Sequence, residues 1–354
     1  MKFIHIADVN LGAQPDRGRI WSDARAQEIY DSFQRLIQVC ADEKIELLLI
    51  AGDLFSRQPT ENDLKALDFQ LRKIPDTKTV ILAGGADYIE PDSPWETFRF
   101  LSNTVVLPRE QAASVYFEDL NVCVCGYSYG KPTYKSRILE RMRPAKEGAY
   151  NILLGYGGDA SHMPFSKEGL AQLGFQYVAL GHMRNFGILV ENQMAFAGSL
   201  EPLGYTETGT HGYILGEVLG DGSTTLQMVD FSARKYCNIG FEVSAEQTNG
   251  DVCEMVEARM KELGSQHIYR IMLRGTVAKQ MEINLSELTR RYNINEIINK
   301  TRYEIDIDEI RLNNETNLLG RLFDEFENET SDADEEIRSR AKQLCLEAFL
   351  KTGK

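Results

Sequence analysis

No stretch of this chain is apolar for long enough to cross a membrane. Residues 2–7 read as a strand, not as a charged stretch leading into an apolar one, so no secretory signal is expected. Positive charge is also scarce. Lys and Arg number 39 against 53 Asp and Glu, for a net charge of −14. Phosphate contacts come mainly from Lys and Arg, so this balance disfavours a module that grips nucleic acid unaided. No two of the six cysteines (Cys40, Cys123, Cys125, Cys237, Cys253 and Cys345) have metal-finger spacing. Most lie in apolar stretches, as buried free thiols of a reducing compartment do, and a cytoplasmic chain is expected. Cys123-Val124-Cys125 falls in a strand pattern, with its two thiols expected on opposite faces. Gly84-Gly85 and Gly157-Gly158 lack the lysine and spacing of a P-loop and read as tight turns. Internal repeats and low-complexity segments are absent.

What is present is enough for two domains: 354 residues, 43% of them hydrophobic. Up to residue 231, strand and helix patterns alternate. Apolar runs at 2–7, 45–51, 79–83, 151–154 and 177–180 read as buried strands, and 115–117 with 121–125 as a strand pair. A helix over 26–43 puts Ile29, Phe33, Leu36, Ile37 and Cys40 on one stripe. A second, over 61–74, has Leu64, Leu67, Phe69 and Leu71 as apolar members. This pattern predicts an α/β fold, a sheet with helices on its faces and polar loops at the carboxyl ends of its strands. Residues 232–318 read as a small α+β cap domain, with strands at 239–243, 268–273 and 303–310 and a helix at 250–263. Residues 319–354 read as a C-terminal helical segment interrupted by an acidic run. Ser331 and Asp334 form a capping box for a helix that carries Ile337, Ala341, Leu344 and Ala348.

Three strand ends carry the chemistry: Asp8-Val9-Asn10, Gly52-Asp53-Leu54-Phe55 and Gly181-His182-Met183-Arg184. A lone Asp after a strand is most often a loop cap, and a lone His a satisfied structural residue. Together they match the needs of a two-metal phosphoesterase. There, carboxylate, His and Asn ligands converge from several strand-end loops on ions ~3.5–4 Å apart that activate water and clamp phosphate oxygens. His5 reads as a core residue. His162 and His211 sit in loops, and Asp87 and Asp159 lie near the departing motifs; any of them could be recruited as a displaced ligand, but only geometry, not spacing, would show it.

With these motifs, residues 1–218 resemble the calcineurin-like metallophosphoesterases, and among them the DNA double-strand-break repair exonucleases of the SbcD type. Residues 49–55, 177–182 and 197–212 are similar to that family's motifs in the same order. The resemblance implies a phosphoesterase sandwich of mixed sheets flanked by helices. It places Asp8 at the first metal-ligand aspartate, Asp53 at the bridging aspartate and His182 at the first histidine of Gly-His-x-His. Elsewhere the chain departs from the pattern. Asn10 stands for a histidine, Gly85 for a metal-binding Asn, Ala86 for the catalytic acid His and Arg184 for a second histidine. The strand that should end in a ligand His ends at Leu154-Gly155-Tyr156, with Gly155 taken as the replacing position.

No catalytic residue is therefore assigned. The residual set Asp8, Asn10, Asp53 and His182 is expected to hold no ion, or one divalent metal weakly, with Mn preferred by family resemblance. Arg184 is expected to bridge Asp8 and Asp53 in place of the lost cation. The implied function is a catalytically impaired exonuclease-like scaffold acting as a structural or regulatory partner. Its rival is an active nuclease or phosphodiesterase with a remodelled one-metal site. By resemblance, 319–354 docks a coiled-coil SMC-like ATPase, DNA is reached through that complex, and the chain pairs as a homodimer.

Overall fold

A strand buried on both faces must be covered by two different partners, and both are present. The computed structural model describes residues 1–304 together with 321, 322, 325, 341 and 344. Most of the segment expected to be helical at 319–354, its capping box at Ser331 and Asp334, and residues 305–310 of the last expected strand lie outside the described residues.

The chain runs through β1 (Lys2–Ile6), α1 (Ser22–Asp42), β2 (Leu47–Ala51), α2 (Glu61–Leu71), β3 (Lys78–Leu82), α3 (Pro94–Thr97) and β4 (Thr104–Val106). There follow β5 (Ala113–Phe117), β6 (Val122–Gly126), β7 (Tyr150–Tyr156), α4 (Lys167–Ala171), β8 (Tyr177–Gly181), β9 (Gly187–Val190), β10 (Met194–Phe196), β11 (Gly212–Val218) and β12 (Thr224–Asp230). These strands form two six-stranded mixed sheets, ordered β12-β11-β1-β2-β3-β4 and β5-β6-β7-β8-β10-β9. In the first, β1 to β4 are parallel, with β11 and β12 antiparallel. In the second, β6, β7, β8 and β10 are parallel, between antiparallel edges β5 and β9.

Side chains alternate across a strand, and the alternation assigns each face its cover. Phe3, Ala7, Leu47, Leu49, Ala51, Val80 and Leu82 pack with Ile152, Leu154, Tyr177 and Ala179 of the second sheet. Ile4, Ile6, Leu48, Ile50 and Ile81 face the other way, onto Ile29, Phe33, Leu36, Ile37 and Cys40 of α1 and Leu64, Leu67 and Leu71 of α2. Thus a second sheet covers one face and helices the other. Helix α2 opens on a capping box made by Thr60 and Asp63. Its apolar stripe lacks Phe69, which is 62% exposed. Two residues beyond Leu67 a side chain has turned about 200° around the helix. Asp68 is buried instead, accepting from the Leu101 and Ser102 amides at 3.1 Å.

Cys40, Cys123 and Cys125 are buried free thiols. The expected placing of Cys123 and Cys125 on opposite faces is corrected, because residues two apart on a strand share a face. Burial first, and then the neighbouring Cys123 thiol, push Cys125 up to about 12.

Beyond residue 231 lie β13 (Tyr236–Val243), α5 (Asn249–Leu263), β14 (Ile268–Val277), α6 (Ser286–Arg291), β15 (Asn293–Asn299) and β16 (Arg302–Tyr303), with β16 parallel to β14. The chain divides into two compact units. One comprises Met1–Gly240, Glu257–Met272 and Leu285–Ile298; the other comprises Phe241–Val256, Leu273–Asn284 and Asn299–Lys354. Both six-stranded sheets belong to the first. In the second, Val243, Val252, Val256, Leu273 and Val277 are buried. Among the described residues no helix is long and apolar enough to cross a membrane.

Gly181 marks where the two large sheets touch. A Cβ there would lie 1.8 Å from the Ala51 carbonyl oxygen and 2.9 Å from the Ala7 Cβ. Strand backbone cannot swing aside as a flexible side chain can. Gly181→Ala should therefore push β8 off β2 and destabilise the chain by about 1–3 kcal/mol. A urea midpoint unchanged from that of the parent would contradict this.

Candidate metal centre

Residues just beyond the carboxyl ends of β1, β2, β7 and β8 converge. Asp8, Asn10 and Asp53 take left-handed backbone conformations, with φ of 47°, 55° and 47°, and His182 has a φ of 93°. Asp and Asn tolerate this region; for His182 it is a strained conformation of the kind that clusters at functional sites. The Asp8 amide donates to Gly52 O and the Asn10 amide to Asp53 O, both at 3.0 Å, which ties the first two loops together.

Asp8 is buried. Its Oδ2 accepts from the His182 amide at 2.9 Å, while its Oδ1 is buried without a hydrogen-bond partner. Burial first, and then the nearby charge of Asp53, hold Asp8 well above the usual carboxylate range. Asn10 spends its amide N–H on Asp8 O at 2.8 Å, leaving its side-chain oxygen as an acceptor. Both oxygens of Asp53 are engaged: Oδ1 accepts from the Ala86 amide at 2.9 Å and Oδ2 from the Tyr156 hydroxyl at 2.7 Å. At Gly84 a Cβ would stand 2.3 Å from Asp53 Oδ1, so glycine is required for this loop to come so near. Asp87 pins the same loop, accepting from the Gly84 amide at 2.8 Å and the Phe55 amide at 3.1 Å. Burial and then Asp53 push Asp87 up to about 7.

Two expectations are corrected here. Arg184 does not bridge Asp8 and Asp53. Its Nη1 pairs with Glu207 Oε1 at 2.8 Å. Glu207 is itself buried and claims the nearest cation, since an unpaired buried carboxylate is costly. Nor is Gly155 the residue that replaces the strand-end ligand. An added Cβ there would meet the Leu139 and Leu180 side chains at 3.1 and 3.3 Å, on an apolar face. The pleat sends the next residue, Tyr156, toward Asp53, and its hydroxyl also lies 3.2 Å from His182 Nδ1. Burial and then Asp53 and Asp8 hold the Tyr156 phenol far above its ordinary value, so it keeps its proton. Beside Gly85, an added Cβ would have Pro132 O at 3.0 Å and the His162 and Tyr156 rings at 3.6 Å.

The loop after β7 brings in residues whose spacing gave no signal. His182 Nε2 lies 2.6 Å from Asp159 Oδ2, and His162 Nδ1 lies 3.0 Å from both Asp159 oxygens. One ligand atom from each of Asp159, His162 and His182 falls within 4.8 Å of the others. Burial works to raise Asp159, but the close His182 imidazole, the Ser161 amide and the His162 imidazole outweigh it and hold the carboxyl well below the usual range. Burial lowers His182, against the pull of Asp159. Asp159 and His162 are three residues apart in a Gly-rich loop, and nothing local marks that pair as ligands. His211 stays apart from the group, with Nδ1 3.0 Å from Ser199 Oγ.

A sequence model of the calcineurin-like phosphoesterases matches residues 1–183. An uncharacterized metallophosphoesterase, YhaO of Bacillus subtilis (strain 168), is 24% identical over 307 residues, covering 78% of this chain and 72% of that protein. The DNA double-strand break repair protein Mre11 of Methanocaldococcus jannaschii is 28% identical over 218 residues, 57% of each chain. Mre11 of Sulfolobus acidocaldarius is 22% identical over 311 residues, 81% of this chain and 78% of that one.

Proposed function

The chain belongs to the calcineurin-like phosphoesterase family, and we propose that within it this protein is a non-hydrolysing member that serves DNA double-strand-break repair as a structural or regulatory subunit. One observation carries the proposal: the Tyr156 hydroxyl stands 2.7 Å from Asp53 Oδ2 and 3.2 Å from His182 Nδ1, linking the two side chains that a second ion would have to link. A bridging carboxylate must offer its oxygens to metal. Here both accept hydrogen bonds, and by the family resemblance Gly85 stands for an Asn, Ala86 for the acid His and Arg184 for a ligand His, while Tyr156 ends the strand that should carry another. The donor set does not fit a pair of ions.

The proposed assembly follows from the relatives named for break repair and from the charge. With a net charge of −14 the chain reaches DNA through a partner that supplies the positive surface. By family resemblance that partner is a coiled-coil SMC-like ATPase docked on 319–354, with the phosphoesterase domain pairing as a homodimer. A second reading, a one-metal phosphodiesterase built on Asp8, Asn10, Asp53 and His182, is favoured by the buried, unpartnered Asp8 Oδ1, to which one Mn²⁺ could bind. Turnover of duplex DNA ends and of a phosphodiester reporter by the full chain in Mn²⁺ separates the two. We expect turnover no higher than that of Asp53→Ala. Turnover that Asp53→Ala abolishes would establish the enzyme instead.

A further inference from the structure

We propose that Asp159, His162 and His182 form a site for a single divalent transition ion of the Zn²⁺ type, which shares only His182 with the ligand set the family resemblance gives. The hydroxyl proton of Tyr156 sets the tautomer of His182. The Tyr156 hydroxyl donates to Asp53 Oδ2 at 2.7 Å, so toward His182 Nδ1, at 3.2 Å, its oxygen can only accept. Nδ1 then carries the imidazole proton, and Nε2 turns its lone pair on Asp159 Oδ2 at 2.6 Å. Two acceptors that close need a positive centre between them. A proton would serve that pair alone, but it leaves the second imidazole without a reason. His162 aims Nδ1 at the same carboxylate, 3.0 Å from each oxygen, with its ring centroid 4.3 Å from that of His182.

Two nitrogens and a carboxylate oxygen make the three-ligand set of an open Zn²⁺ site, with bonds of ~2.0–2.2 Å. Tetrahedral geometry then separates ligand atoms by ~3.4 Å, so the 2.6 Å contact of His182 with Asp159 needs to widen by about 0.8 Å and the 3.0 Å contact of His162 by about 0.4 Å. The carboxylate is already oriented, because Oδ1 accepts from the Ser161 amide at 2.7 Å and the His162 amide at 2.9 Å. His182 is oriented as well, its other nitrogen held by Tyr156, the arrangement metal-ligating histidines usually show. The side chains of Asp159, His162 and His182 are 42%, 23% and 15% exposed, which leaves the fourth position open to water. Two imidazoles select a borderline ion over Mg²⁺ or Ca²⁺. Such an ion would tie the loop after β7 to the end of β8, whether or not the chain cleaves phosphodiesters.

The test titrates the metal-free full chain with Zn²⁺ by calorimetry and with Co²⁺ by visible absorption. One equivalent should bind. His162→Ala and Asp159→Ala should weaken it at least ~100-fold, the upper end of what losing even an outer-shell partner costs. Asp8→Asn and Asp53→Asn should leave it unchanged. His162→Cys should keep the ion and add a thiolate charge-transfer band to the Co²⁺ spectrum, which no merely structural role of His162 would produce. Circular dichroism of the metal-free variants separates loss of the site from loss of the fold. The proposal is overturned if the wild-type chain binds no stoichiometric Zn²⁺, or if binding survives His162→Ala and disappears in Asp53→Asn.

Discussion

Arg25→Met is expected to destabilise the chain by about 3–5 kcal/mol, through what it leaves behind. Arg25 lies on α1 and is completely buried, as is Glu201 in the loop after β10. Its Nη1 is 2.5 Å from Glu28 Oε2 and 3.2 Å from Glu201 Oε2, and its Nη2 donates to Pro202 O at 2.8 Å. Glu201 Oε1 accepts from Ser32 Oγ at 2.6 Å. Methionine fills much of the space but leaves the Glu201 carboxylate buried without its countercharge. Adding Glu201→Gln removes that charge and should restore a large part of the loss. The coupling between the two sites in a urea double-mutant cycle should then exceed 1 kcal/mol. If the two effects simply add, the buried pair is not what holds α1 to this loop.

The second large effect is on pH dependence. His5 on β1 is fully buried between the two large sheets, with Nδ1 2.8 Å from the Tyr177 hydroxyl. Burial pushes its imidazole down from 6.5 to about 3. Between those values the unfolded chain takes up a proton at this residue and the folded chain does not. Stability from His5 is therefore fully present above pH 6.5 and is lost as pH falls toward 3. The gap corresponds to a loss on the order of 4–5 kcal/mol. Carboxylates titrate over the lower half of this window, so the informative quantity is a difference between two chains. His5→Leu should flatten the slope of unfolding free energy against pH between 6.5 and 4.5, where imidazole uptake dominates. Parallel slopes for the two proteins would show that His5 is protonated in the fold.

Much of the fold was legible because it is written in short-range periods. Short, largely apolar runs marked β1, β2, β7 and β8 as strands buried on both faces. The helical period marked the five residues of α1 that pack on the first sheet. Phe69 shows the limit of composition without phase, since it is apolar but sits off the stripe. The periods showed that both faces of the central strands are buried. That a second sheet covers one face came instead with the family resemblance.

The sequence by itself determined the strand ends that carry Asp8, Asp53 and His182, because a polar residue closing an apolar run is a local event. Tertiary structure decided what those side chains meet. Whether residue 155 or 156 faces the site depends on strand parity, which a one-residue uncertainty inverts. Arg184 answers to Glu207, 23 positions along the chain, and Asp159 reaches His182 at the same separation. Such contacts are set by which strands pair and which loops are thereby brought together, and no window along the chain contains that information.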